Sequence, residues 1–179
     1  GEFLQGFIDC GLNCFGVDQC NDAMITCPSS TIKLANIESE GIPFEDNCFD
    51  IVYSKSVIEH FYYPEKLIAE AYRVLRPGGK ILTLCPDWKY NYKTYYEDFT
   101  HRTPFMMTSL SDIHKMNGFS DVHVCNFVQL PVLWGRGKLL FPASVLSRLL
   151  LPSCLRKYSK WVRFSKEVML IAIASKPSI

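Results

Sequence analysis

The stretch Ile42-Pro-Phe-Glu-Asp-Asn-Cys-Phe-Asp-Ile-Val-Tyr-Ser-Lys-Ser-Val-Ile-Glu-His60, taken up again at Tyr72-Arg-Val-Leu-Arg-Pro-Gly-Gly-Lys80, decides the fold class. Phe49 to Ser54 is an apolar run of strand length, followed by the polar residues Ser56, Glu59 and His60. Pro64 then opens a helix, at a position where its missing N–H has no intrahelical partner to lose. Leu67, Ile68, Ala71, Tyr72 and Leu75 fall on one face of that helix. Arg73 and Arg76 suit its negative end, Pro77 stops it, and Gly78-Gly79 turns the chain into the buried strand Lys80 to Cys85. Strand, helix, strand in this order predicts a parallel pair covered by the helix between them.

The same alternation extends outward. Phe3 to Gly11 reads as a short helix, Cys14 to Asp18 as a strand and Thr31 to Ile37 as the next strand. Ser109 and Asp112 predict a capping box for a helix ending near Asn117-Gly118. Val122 to Gln129 and Val168 to Ala174 read as two final strands. The class is α/β. In such sheets ligands bind outside the carboxyl ends of the strands, so the closing residues matter: Asp18, Glu38, Ser54 with Ser56, Glu59 and His60, and Asp87. A carboxylate like Asp18 suits two neighbouring ribose hydroxyls, although an aspartate there equally caps a turn.

These segments, with Phe15-Gly-Val-Asp18 upstream and Gly118-Phe119 downstream, resemble the class I S-adenosylmethionine-dependent methyltransferases, in particular the small-molecule, type 11-like branch. The resemblance spans Gly1 to about Gln129 and again Val168 to Ala174. It implies a Rossmann-like sheet, mostly parallel with an antiparallel last strand, and S-adenosylmethionine as cofactor. It also implies that Asp18 binds the ribose with Gln19 alongside, that Glu38 meets the adenine amino group with Ser39 offering its backbone, and that the Ser54 backbone lies along the methionine part. The family's Asp-x-Gly-x-Gly-x-Gly loop is represented only by Gly1, followed by Glu2. The first strand, which belongs between those ending at Asp18 and Ser54, is therefore expected to be absent, and the chain to be an N-terminally truncated piece of a longer enzyme.

Methyl transfer needs an aligned nucleophile and, for a hydroxyl, a proton acceptor. The candidates are His60 and His101, the latter in the polar loop Asp98-Phe-Thr-His-Arg102. His60 equally suits a ring that anchors its loop to backbone. Glu59-His60 resembles the Glu-x-x-Glu-His metal motif of small-RNA and quinone-pathway O-methyltransferases, but Ser56 replaces the first carboxylate, so no metal is expected. Trp88, Tyr90, Tyr92, Tyr95 and Tyr96 suit either stacking on an acceptor or packing of their own loop.

Composition bounds the rest. The 179 residues are 48% hydrophobic with a net charge of +1, which excludes a disordered tail and makes a nucleic-acid partner unexpected. One domain over 1–179 is expected. No apolar run has the length of a membrane span and no basic-then-apolar leader opens the chain, so a cytoplasmic location is expected. Eight cysteines without a Cys-x-x-Cys pair read as reduced, mostly buried thiols. Eight of the nineteen basic residues lie between Leu130 and Lys166 with no acidic one, leaving −7 on the remainder. This insert at 130–166 is expected to form an amphipathic helical cap. Its leucines would cover the site or a lipid interface, and its cations would favour an anionic or phosphorylated acceptor or peripheral membrane contact. The implied reaction is methyl transfer to oxygen or nitrogen of a small or carbohydrate-like acceptor. The alternatives are a nicotinamide-dependent oxidoreductase, which would use Asp18 in the same way, and a non-catalytic interaction module with a degenerate cofactor site.

Overall fold

The structure is a computed structural model that describes residues 2–26, 31–130, 142–152, 155 and 158–178. Its central unit is the predicted strand, helix, strand. Strand β3 (Phe49–Lys55) runs parallel to β4 (Leu75–Pro86), and α4 (Pro64–Val74) joins them. Helix α4 forms because its apolar side chains recur on one stripe, and that stripe buries Leu67, Ile68, Ala71 and Val74 almost completely. Beyond β4 lie β6 (Val168–Ser175) and then β5 (Ser120–Val128), in the order β3-β4-β6-β5, with only β6 running against its neighbours. Leu110 from α6 (Met107–Met116), Phe119, Ile81 and Cys85 on β4, and Leu170, Ala172 and Ala174 on β6 complete one core.

A separate parallel pair, β1 (Phe15–Asp18) and β2 (Thr31–Leu34), follows α1 (Glu2–Asp9). The sheet is thus in two parts, divided between the strands that end at Asp18 and Ser54, where the reading above leaves a strand out. Helix α1 bridges the division: Phe3 and Phe7 pack on Tyr53 of β3 with ring centroids 6.3 and 5.1 Å away, while Leu4 lies against Gly16 of β1.

Several local expectations change. β2 stops at Leu34 because Asn36 caps the short helix α3 (Ile37–Glu40), its side chain accepting from the Glu38 N–H, so Glu38 sits on a helix and closes no strand. Pairing with β3 begins at Leu75, and Arg76 to Gly79 loop out as a register break inside β4. Arg76 consequently leaves the helix and pairs with Asp50 at 2.7 Å. A Cβ on Gly79 would lie 2.9 Å from the Arg76 carbonyl oxygen and 3.1 Å from that of Asp50, which is why only glycine fits there. In α6, Ser109 is the third residue and its hydroxyl accepts from the Met106 N–H; Asp112 takes no part in the cap. Six cysteines are described and all are free; three are exposed, Cys14 and Cys48 are half-buried and only Cys85 is buried, so the expected burial of most thiols does not hold among them.

Of the insert, the structure describes a helix α7 over 142–150 and α8 (Lys160–Lys166); Arg136, Lys138, Leu139, Leu140, Phe141, Arg156 and Lys157 lie outside the described residues. Trp161 Nε1 donates to Ser147 Oγ at 3.0 Å and ties α8 to α7. Among the described residues, no helix is long and apolar enough to cross a membrane.

Candidate active site

Two hollows share Lys55 as a wall. The first is a groove of about 410 Å3 between β1 and β3, lined by Phe3, Phe15, Ile32 and Tyr53 and carrying Asp18 and Ser54. Asp18 closes β1, and its Oδ1 accepts from the Cys20 N–H at 3.0 Å, so the turn-capping role is real. Its other carboxylate oxygen is left for a ligand hydroxyl. Ser54 is 8% exposed and its hydroxyl has no hydrogen-bond partner among the described residues. A buried hydroxyl without a partner favours a polar ligand in this groove, because leaving it unmet is unfavourable.

The second hollow, about 610 Å3, opens beyond β3 and β4 and is lined by Ser56, Glu59, His60, Tyr95, Asp98 and His101, with Arg163, Phe164 and Glu167 closing it from the side of α8. Ser56 enters this region with φ of +54°, a left-handed backbone held by its N–H donating to the Leu84 carbonyl. A single 3₁₀ turn, Ile58–His60, then places Glu59 and His60 side by side. The loop carrying His101 docks onto that turn through its backbone: the Arg102 and Thr103 N–H groups both donate to the Glu59 carbonyl, at 2.8 and 3.1 Å. The two histidine rings end 4.8 Å apart.

Hydrogen bonding fixes the tautomers. His101 Nδ1 lies 2.6 Å from the Tyr95 carbonyl oxygen, which only accepts, so Nδ1 carries the proton. Thr100 donates its single hydroxyl proton to Asp98 at 2.5 Å and therefore accepts from His60 Nδ1 at 2.9 Å. In the neutral ring this leaves Nε2 with the lone pair, and that of His101 lies 3.9 Å from Asp98 Oδ2. Burial, and next the neighbouring His101, lower the His60 pKa and hold it neutral. Glu59 is 1% exposed, and neither carboxylate oxygen has a hydrogen-bond partner among the described residues. Burial raises its pKa to about 7, outweighing the weak pull of its own and the Val57 backbone N–H.

A family model described as a methyltransferase domain matches residues 1–83, the segment that contributes Asp18, Ser54, Glu59 and His60. That segment, a little under half of the chain, is similar to the methyltransferase domain of the class I S-adenosylmethionine-dependent enzymes. Among curated proteins the chain is 33% identical over 104 residues to phosphoethanolamine N-methyltransferase 2 of Caenorhabditis elegans, covering 54% of this chain and 23% of the relative. It is 34% identical over 88 residues to the ubiquinone/menaquinone biosynthesis C-methyltransferase UbiE of Blochmanniella floridana, covering 49% and 30%. The chain therefore spans about a quarter to a third of the length of these relatives. A solved methyltransferase from Archaeoglobus fulgidus superposes with a TM-score of 0.72 at 20% identity, over 98% of this chain and 81% of that one. Phosphoethanolamine N-methyltransferase 2 of Haemonchus contortus, in complex with S-adenosylhomocysteine, gives 0.63 at 21% identity, over 94% and 44%. The likeness shows the Rossmann-like fold, with its antiparallel last strand.

Set against the expected methyltransferase residues, the structure gathers only part of the set. Asp18 and Ser54 share the groove, whereas Glu38 spends Oε1 on the Tyr63 N–H at 2.6 Å, at the start of α4. Ser39 and Gln19 are exposed and do not line the groove; Gly1 lies outside the described residues. His60 and His101 do meet. Asp87, also at a strand end, is structural: it is 2% exposed and accepts from Asn126 Nδ2 and the Lys89 N–H. Trp88, Tyr92, Tyr95 and Tyr96 pack mainly on one another, and only Tyr95 reaches the second hollow. The sequence does not point to Lys55, and it marks Arg163 only as one of the insert's cations. Glu59 was visible as the neighbour of His60, but nothing in the sequence marks it as buried and unpartnered.

Proposed function

We propose that this chain transfers a methyl group from S-adenosylmethionine to an oxygen or nitrogen of a small acceptor seated in the hollow around His101. The bound cofactor supplies a methyl group already activated by its sulfonium. Asp18 accepts from the ribose hydroxyls and Ser54 lines the methionine end. The observation that carries the reading is the junction of the two hollows at Lys55, with the His101 Nε2 lone pair in the second. A hydroxyl acceptor aligned with the methyl group loses its proton to that nitrogen. Arg163 in the wall favours an acceptor with an anionic group. Two relatives are named for phosphoethanolamine, which carries both an amine and a phosphate, and this supports a small phosphorylated amine as the first acceptor to try.

The test is formation of S-adenosylhomocysteine with a panel of phosphorylated and uncharged amines and alcohols. His101→Ala lowers turnover on a hydroxyl acceptor by ~10²–10⁴-fold with cofactor affinity unchanged. No acceptor-dependent turnover across the panel, or equal turnover in the variant, removes the reading or the role of His101. We further infer contact with anionic lipid through α7, whose Leu146, Leu149 and Leu150 are 56%, 74% and 70% exposed within a segment rich in cations. Absence of co-sedimentation with anionic vesicles at low salt refutes it.

A further inference from the structure

We infer that Glu59, His60 and His101 form a binding site for one divalent transition-metal ion at the floor of the second hollow. One donor atom from each residue lies within 4.8 Å of those of the other two. Donors around a tetrahedral ion at about 2.0–2.2 Å stand about 3.3–3.6 Å apart, so seating the ion asks the side chains to close by up to about 1.5 Å. The set of one carboxylate and two imidazoles suits zinc, manganese, cobalt or iron(II), and is too rich in nitrogen for calcium or magnesium.

Three observations point to a ligand here beyond mere proximity. Glu59 is 99% shielded from solvent, and both its oxygens are without a hydrogen-bond partner among the described residues, an arrangement a cation would satisfy. Each imidazole has Nδ1–H anchored to an oxygen, His60 to Thr100 and His101 to the Tyr95 carbonyl, which leaves Nε2 as the donor and sets each ring's orientation. Ligating histidines are held by this kind of outer partner, and here Asp98 continues the chain behind Thr100. Finally, the ligand-bearing segments are fixed to each other by the two backbone bonds onto the Glu59 carbonyl, so little order remains to be gained on binding. The hollow beside the triad leaves open positions for acceptor atoms.

The inference goes beyond the methyl-transfer reading and does not need it. An ion held through His101 would occupy the lone pair that the methyl-transfer reading gives to the acceptor's proton, so His101 serves as a base only in the metal-free chain.

The experiment titrates Co2+ into the chelator-treated 179-residue chain without cofactor, followed by visible d–d absorption and calorimetry. One ion per chain is expected, with nitrogen and oxygen ligation. Thr100→Val, which removes the acceptor for His60 Nδ1–H, weakens binding about 10–100-fold. Loss of a ligand in Glu59→Gln or His101→Ala weakens it further, and His123→Ala, an exposed histidine on β5, leaves it unchanged. Near-ultraviolet circular dichroism checks that each variant is folded; should Glu59→Gln unfold, His60→Ala and His101→Ala decide. No stoichiometric binding overturns the site. So does unchanged affinity in the folded ligand variants, or binding only with the intense sulfur-to-cobalt absorption of the exposed Cys10 and Cys20. Methyltransferase activity that survives while cobalt binding fails refutes the metal site alone.

Discussion

Arg73→Met tests how the wall of the cofactor groove is held. From the last turn of α4, the Arg73 guanidinium donates to the carbonyls of Ile42 at 2.7 Å and Phe44 at 2.9 Å, and to Glu70 through two nitrogens at 2.9 and 2.7 Å. It also meets Asp46 at 2.6 Å. Glu70 in turn accepts from the Ile42 N–H, and the pull of Arg73 holds its carboxyl below the usual range. The arginine therefore fastens residues 42–46, two of which, Ile42 and Phe44, line the groove. With the Arg73 side chain 32% exposed, each carbonyl bond is worth about 1 kcal/mol net and the partly screened Glu70 pair about 1 kcal/mol more. Asp46 is 67% exposed and adds less than about 0.5 kcal/mol. Methionine keeps most of the apolar stem, so urea unfolding should report a loss of about 3 kcal/mol, or ~6–12 °C in Tm. Arg73→Lys, a point charge without the planar fork, should recover less than half. S-adenosylhomocysteine affinity should fall in step, although Arg73 does not line the groove. A loss below about 1 kcal/mol, or Lys equal to Arg, refutes the clamp.

Three further outcomes are expected. Gly79→Ala should cost roughly 1–3 kcal/mol in chemical unfolding, because the new Cβ meets two backbone oxygens that cannot move aside without breaking the β3–β4 pairing. His114 is fully buried, donates from Nδ1 to the Leu110 carbonyl and accepts from Thr83, and burial lowers its pKa below 6.5. The unfolded chain therefore takes up a proton that the native state refuses, and stability present above pH 6.5 should fall as pH drops below it, by up to about 1.4 kcal/mol per unit. Unfolding curves at several pH values check this, and that part of the slope should vanish in His114→Gln. Asp18→Ala should weaken S-adenosylhomocysteine binding by ~1–3 kcal/mol in calorimetry, and unchanged affinity would remove Asp18 from the site.

What sequence alone determined about this protein is what short-range rules govern. The helix after Pro64, the buried strand after Gly79, the acidic close of β1 and the order of strands around the insert all follow from periodicity, backbone-restricted residues and chain direction. These carry the fold class and the resemblance to the methyltransferases. Tertiary structure decided which acidic side chains line a hollow and which serve the fold. Asp87 and Glu38 carry the same charge as Asp18, but one meets Asn126 and the other caps the turn before α4, partners 39 and 25 residues away that no local pattern names. The meeting of His60 with Thr100 and His101 spans 40 residues and depends on two loops docking through backbone hydrogen bonds to Glu59, interactions that any side chains at Arg102 and Thr103 could make. Burial of Glu59 without a partner is likewise a property of its surroundings. Side-chain chemistry is written residue by residue, whereas solvent exclusion and the pairing of distant groups arise only once the sheet, its helices and its loops are packed together.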